Sequence, residues 1–329
     1  MEKIALIMNS GSRKMVINEK SIKRLERIGE VVFGNGNTDR ESVKKALAGA
    51  TIAITSWGNE PFDEDILSVC PGLKMIVHAA GSVKPIVSDA VWEKHIRVCS
   101  SANILSTGVS ETALGFTIAA SKNFFFHNEN IHTGGWAEGK QNIKELYDLT
   151  IGVVSGGWAG RHYIELMRAF DVDIVLYDPF IDDKKAAEMG VKKVSIEELC
   201  RISDIISIHA PSIPETFHMF NKDTLALMKK DAVLINTSRG SLIDENALYE
   251  HMKAGNLKYA CLDVFDPEPP AADNPLRSLK NCIMTPHLAG QANNGLKKIG
   301  QHVCEEIERV LADKQTVCEV TKEMIAKMA

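Results

Sequence analysis

A chain of 329 residues, 45% hydrophobic and 25% charged, has ordinary globular composition and is too long for one ordinary core, so two domains are expected. Its 38 basic and 43 acidic side chains leave a formal charge of -5 with no long Lys/Arg run, which excludes the electrostatic footprint of a nucleic-acid binder. MEKIALIMNSGSRK at the start has only a five-residue apolar run, Ile4 to Met8, behind an acid, so it reads as a first strand and not a signal peptide. No stretch approaches the roughly 18 apolar residues of a membrane span. The seven cysteines are odd in number, scattered and free of any C-x-x-C pair. They predict buried thiols of a reduced, cytoplasmic protein with neither a disulfide framework nor a metal site.

Short β-like runs alternate with helical patterns almost throughout, which predicts an α/β fold with parallel sheets. KIALIM (3–8), EVVF (30–33), TIAIT (51–55), KMIVH (74–78) and the weaker IRVC (96–99) are the first strands. Amphipathic stretches at 17–28 and 39–48 lie between them, with Asp39 and Ser42 as caps. From Ile104 to Phe126 the pattern predicts one long apolar helix, better buried between two domains than on a surface. A loop at 134–142 follows, and then a second series: TIGVV (150–154), DIVLYD (173–178), DIISIH (204–209), AVLIN (232–236), YACLDV (259–264) and CIMTPH (282–287). A last amphipathic helix spans about 293–312. The expected architecture is two doubly wound Rossmann-like domains. Residues 104–292 are inserted into a smaller, flavodoxin-like, discontinuous domain made of 1–103 and 293–329.

TIGVVSGGWAG (150–160) is a strand-to-helix turn that departs by one residue from the dinucleotide fingerprint G-x-G-x-x-G: its glycine positions hold Ser155, Gly157 and Gly160. Gly157 and Gly160 keep what ligand approach and helix–strand contact require, and a small serine fits the tight turn at a cost of about 1 kcal/mol if its backbone angle is unusual. The helix that follows offers its N-terminal N–H groups to a diphosphate. From Gly157 to Asp178, at the end of the next strand, is 21 residues, near the roughly 20 expected for the acid that binds the adenosine ribose. An aspartate there favours NAD and would repel the 2′-phosphate of NADP.

Three later segments carry chemistry. LINTSRGSLIDENAL (234–248) runs a strand into Arg239-Gly240, where a guanidinium suits a bidentate grip on a carboxylate. ACLDVFDPEPP (260–270) ends in an acidic turn with Asp263, Asp266 and Glu268. CIMTPHLAG (282–290) sets His287 just past a strand end. A neighbouring carboxylate favours a protonated, oriented imidazole, which can donate a proton to an alkoxide and remove it in reverse. An isolated Arg at such a place is more often a surface ion pair, so the three segments matter as a set.

VVSGGWAG, YDP, DIISIHAP, Glu215-Thr216, LINTSRG, LDVFDPEP and TPHLAG, in this order and spacing, resemble the D-isomer-specific 2-hydroxyacid dehydrogenase family nearly end to end. The resemblance implies that Arg239 binds and polarises a 2-oxo acid, that Glu268 pairs with His287, and that His287 is the acid/base. It implies an NAD site at Ser155, Gly157, Trp158, Ala159, Gly160, Asp178, Thr216, His287 and Gly290, with His209, Ala210 and Pro211 near the adenosine. Asp263 and the Thr237-Ser238-Arg239 turn would face the nicotinamide end. VHAAGSVKPIV (77–87) matches the loop whose N–H groups hold the substrate carboxylate, which assigns Ala80, Gly81 and Ser82 to the substrate. Trp57, at a strand end in TSWGNEP, either lines the substrate pocket or covers the core edge. Members are usually dimers, which assigns the 104–126 region to an interface. Two departures stand out: Trp158 where the family commonly has Arg or Lys, and Ser82-Val83-Lys84-Pro85 where it usually has Asp-Asn after a glycine.

The implied activity is interconversion of a small 2-oxo acid and the D-2-hydroxy acid. The competing reading is a catalytically slow NAD(H)-sensing module on the same fold, acting through a protein partner. Ser155 and Trp158 lean toward the sensor, whereas the intact Arg239, Glu268 and His287 argue for the enzyme. A formate-oxidising relative would not be expected to keep a glutamate at 268.

Overall fold

The computed structural model describes residues 1–291 and 293–328, so the expected domain limit at 292 and the final residue of the 293–329 segment lie outside the described residues. The strands, in chain order, are β1 (Glu2–Leu6), β2 (Gly29–Phe33), β3 (Ile52–Thr55), β4 (Met75–His78), β5 (Arg97–Cys99), β6 (Tyr147–Val154), β7 (Asp171–Tyr177), β8 (Lys192–Lys193), β9 (Ile205–Ile208), β10 (Val233–Asn236), β11 (Tyr259–Leu262), β12 (Cys282–Met284) and β13 (Glu319–Val320). They fall into two compact units, Met1–Leu105 with Gln291–Ala329, and Ser106–Gly290.

In the first unit the sheet order is β13-β5-β4-β3-β1-β2, with β1 to β5 parallel and β13 antiparallel on β5. This is the doubly wound order 2-1-3-4-5 with a returning C-terminal strand added. Ile4, Leu6 and Met8 enter one hydrophobic cluster, while Ala5 and Ile7 enter another on the opposite face. Because both faces are covered, the strands read as continuous apolar runs and not as alternating ones. Helix Lys297–Leu311 packs Ile299, Val303 and Ile307 on one face, and Arg24 grips Glu308 through two hydrogen bonds of 2.5 and 2.6 Å. Asn9, Asn18, Asp39 and Asp63 cap helices by accepting the N–H three residues on. Asp39 is therefore the cap of helix Arg40–Leu47, and Ser42 is its donor.

The second unit is a seven-stranded parallel sheet in the order β12-β11-β10-β9-β6-β7-β8. Counted from β6 this is 3-2-1-4-5-6-7, the Rossmann winding, and the order reverses between β6 and β9. The helix expected over 104–126 is instead two helices, Ala102–Ser121 and Phe124–His132. The break falls at Asn123, which takes a left-handed backbone (φ 58°) that asparagine tolerates. Its Oδ1 accepts a 2.7 Å bond from the Tyr259 hydroxyl. Among the described residues no helix is long and apolar enough to cross a membrane.

Candidate functional site

The turn after β6 is built against the end of β7. Ser155 adopts φ +77°, the left-handed region its glycine counterpart would enter freely, and its N–H donates to the Tyr177 carbonyl at 2.8 Å. Asp178, only 5% exposed, holds the turn from below: its Oδ2 accepts from the Gly156 N–H at 2.8 Å and the Ser155 hydroxyl at 3.3 Å, and its Oδ1 from the Phe180 N–H at 2.8 Å. A Cβ on Gly160 would lie 1.9 Å from the Ser155 carbonyl oxygen, so only glycine fits there. A Cβ on Gly157 would meet nothing nearer than Ser155 Oγ at 3.9 Å. That open space sits at the N-cap of helix Trp158–Met167, where free N–H groups favour an anion. Trp158 is the first helical residue and is half-exposed, and the Ala159 carbonyl accepts from Ser110 Oγ at 2.8 Å.

At the end of β9, across the switch point, His209 is buried with Nε2 2.9 Å from Ser207 Oγ and its ring 5.1 Å from that of Tyr163. Desolvation lowers its pKa to about 3, so the ring is neutral. His209 Nδ1 and, at the end of β10, Thr237 Oγ1 are buried with no hydrogen-bond partner. Buried polar atoms are rarely left so, and a polar ligand at these strand ends would satisfy them. Ala210 is buried beside them. Thr216 stitches its own loop, donating to the Pro211 carbonyl at 2.6 Å and accepting from the Ile213 N–H at 3.0 Å. The Gly157 space, the helix N-terminus, Asp178 and these two orphan atoms together fit a dinucleotide.

Arg239, Glu268 and His287, separated in sequence, are gathered by backbone contacts. Asn236, fully buried at the end of β10, accepts from the Ser238 N–H (3.1 Å) and hydroxyl (2.8 Å) and donates to the Arg239 carbonyl (2.8 Å). A Cβ on Gly240 would lie 1.9 Å from the Phe265 carbonyl carbon, so the glycine lets the Arg239 turn press directly on the acidic loop. There Glu268 Oε1 accepts from the Phe265 N–H at 3.1 Å, and Oε2 meets His287 Nδ1 at 2.7 Å. Desolvation pulls the Arg239 guanidinium below its ordinary value, with the Glu268 charge acting in the opposite sense. His287 is half-exposed and sits at φ 49° in a loop organised by Asp263. That carboxylate is fully buried: Oδ1 accepts from Thr285 Oγ1 (2.6 Å) and the Leu288 N–H (2.9 Å), Oδ2 from the Ala289 N–H (2.8 Å). Gly290 ends this loop, with Val109 3.7 Å from where its Cβ would be.

In the first unit Ala80, Gly81 and Ser82 form the turn after β4, and the Ala80 carbonyl accepts from the Ser101 N–H at 2.9 Å. Trp57 stands just past the end of β3 and is 39% exposed, and its carbonyl accepts from Asn9 Nδ2 at 3.0 Å. Sequence reasoning missed Asn236. Its only signal was a polar residue closing an apolar strand directly before Thr-Ser-Arg-Gly.

Residues 114–289 match the family described as "D-isomer specific 2-hydroxyacid dehydrogenase, NAD binding domain". A D-3-phosphoglycerate dehydrogenase of Methanocaldococcus jannaschii is 37% identical over 90% of this chain and 56% of its own length. A hydroxypyruvate reductase of Thermotoga maritima is 31% identical over 75% of this chain and 80% of its own. Among solved structures, the TT0316 protein of Thermus thermophilus superposes with a TM-score of 0.75 at 26% identity, covering 97% of this chain and all of that one. The chain belongs to the D-isomer-specific 2-hydroxyacid dehydrogenase family. It spans little more than half the length of the phosphoglycerate dehydrogenases it matches.

Proposed function

We propose that this chain is an NAD-dependent D-2-hydroxyacid dehydrogenase that interconverts a small 2-oxo acid and its D-2-hydroxy acid. The observation that carries the reading is the 2.7 Å contact of His287 Nδ1 with Glu268 Oε2 beside the desolvated Arg239. Bound nicotinamide dinucleotide supplies or accepts the hydride. Glu268 fixes the imidazole so that Nε2 faces substrate, and His287 delivers a proton to the forming hydroxyl or withdraws it in reverse. Arg239 binds and polarises the 2-oxo acid, and the N–H groups of Ala80, Gly81 and Ser82 hold its carboxylate. Residues 106–290 bind the cofactor, and Ala80, Gly81 and Ser82 of the first unit contribute to substrate binding. The buried Asp178 supports NAD over NADP, because a 2′-phosphate would face its charge.

Further readings are coarser. A homodimer is supported by the exposed apolar residues Phe124, Phe126, Ile131 and Trp136, downstream of the helix that ends at Ser121, and sedimentation equilibrium tests it. A cytoplasmic location is supported by seven free, buried cysteines. The decisive experiment follows NADH and NADPH oxidation across a panel of 2-oxo acids with the parent and His287→Ala. The variant should lose roughly 10²–10⁴-fold in turnover while still binding NADH. Full turnover in His287→Ala would sink the mechanism, and binding without turnover of any acid would favour the sensor.

A further inference from the structure

Taking the dinucleotide site above as given, we infer that Arg161 is a further cofactor-binding residue, whose guanidinium grips the diphosphate at the start of helix Trp158–Met167. Every group involved belongs to the second unit, residues 106–290.

A helix carries partial positive charge at its N-terminus, so acids are favoured there and cations at the other end. This helix has no acid in its first turn and no basic residue in its last. Its first intrahelical bond runs from the Arg161 N–H to the Gly157 carbonyl at 3.0 Å, which leaves the N–H groups of Trp158, Ala159 and Gly160 ahead of the ladder. The Arg161 side chain leans as helical side chains do, toward the N-terminus. Its Nε donates to the Gly156 carbonyl at 2.6 Å, so the guanidinium is held at a residue that precedes the N-cap, Gly157. A fixed cation thus joins the positive end of the helix.

Like charges gathered in this way call for an anion, and the protein supplies none. Among the described residues no carboxylate pairs with Arg161, whereas Arg24, Arg40 and Arg97 hold carboxylates at 2.5, 2.9 and 2.7 Å. Asp178, the acid of the turn, is committed to Ser155, Gly156 and Phe180. Gly157 and Arg161 are four residues apart and so share a face of the helix. The space over Gly157, where a Cβ would meet nothing nearer than Ser155 Oγ at 3.9 Å, lies on that face. An anion seated there meets backbone N–H groups on one side and the guanidinium on the other. Trp158, the first helical residue, brings no charge to this task. The diphosphate of a dinucleotide carries two negative charges, one for the helix end and one for Arg161.

The test titrates the full chain and its Arg161→Ala and Arg161→Lys variants with NADH by fluorescence, then displaces NADH with ADP and with adenosine, which lacks phosphate. Arg161→Ala should weaken NADH and ADP roughly tenfold and leave adenosine within about twofold, and Arg161→Lys should recover part of the loss. Raising salt from about 0.05 to 0.3 M should weaken NADH binding more in the parent than in Arg161→Ala. Unchanged NADH affinity in Arg161→Ala overturns the inference, as does an equal loss of ADP and adenosine, which marks a displaced turn. A parent that binds NADH through Arg161 but reduces no 2-oxo acid upholds the inference while the proposed reaction falls. A parent that binds neither NADH nor ADP sinks both.

Discussion

Ser155 stands where its chemistry and its backbone disagree, and the two can be separated by substitution. At φ +77° an L-residue is strained by roughly 1–2 kcal/mol. Its hydroxyl recovers part of this through the 3.3 Å bond to Asp178, worth about 1 kcal/mol. Ser155→Ala keeps the strain and loses the bond, so it should be about 1 kcal/mol less stable than the parent. Ser155→Gly removes both strain and bond and adds about 0.5–1 kcal/mol of unfolded-state entropy, which leaves it close to the parent. For a unit of this size the alanine variant should melt roughly 2–4 °C below the glycine variant. Asp178 keeps its 2.8 Å bond from the Gly156 N–H in both, so NADH affinity should change less than about threefold. Thermal unfolding and fluorescence titration with NADH measure the two effects. An alanine variant that melts at or above the glycine variant would refute the claim that position 155 is strained.

Gly160→Ala puts a methyl 1.9 Å from the Ser155 carbonyl oxygen, so the turn must move, at a cost of about 1–3 kcal/mol or more, and NADH affinity should fall in titration. Asp263→Asn turns a donor toward one of the three donors that its carboxylate accepts. It should cost about 1–3 kcal/mol and lower kcat through the displaced His287 loop, as steady-state kinetics and melting would show. Burial lowers the pKa of His209 to about 3 and of His78 to about 4 from 6.5, so the unfolded chain takes up protons that the folded chain refuses. Their contribution to stability is complete above pH 6.5 and falls through the window down to about pH 4 and 3. The slope is about 1.4 kcal/mol per pH unit for each histidine. Urea unfolding at pH 7, 6 and 5 should show this loss, and a flat profile would contradict it.

Strands buried on both faces were legible because continuous apolar runs such as IIS and VLIN leave little other choice. β8 and β13 were not, since two-residue strands, Lys-Lys and Glu-Val, carry no periodicity. Helix Ser10–Val16 was hidden for a similar reason, its polar SGSRK opening being fixed by the Asn9 cap and not by an apolar stripe. The break at Asn123 was read over because the polar Ser121-Lys122-Asn123 is only three residues long between the apolar stretches on either side, and its left-handed backbone shows only in the structure. At the site, Arg239, Glu268 and His287 could be found because few residue types do their chemistry. Asn236, Thr216 and Asp263 could be named or overlooked, but not assigned their work, because each acts on backbone groups that only the folded turns bring within reach.

Asp178 joins these two kinds of residue. An ionised carboxylate has about four lone-pair sites, and here three are taken by Ser155 Oγ, Gly156 N–H and Phe180 N–H. A ribose hydroxyl can fill the remaining site by donating to it. The 2′-phosphate of NADP has no proton to offer at neutral pH, and the carboxylate, held by two backbone donors on different oxygens, cannot rotate away from it. The preference proposed for NAD therefore follows from how the turn is held together, not only from the presence of an acid. An aspartate free to swing at the same position would discriminate less.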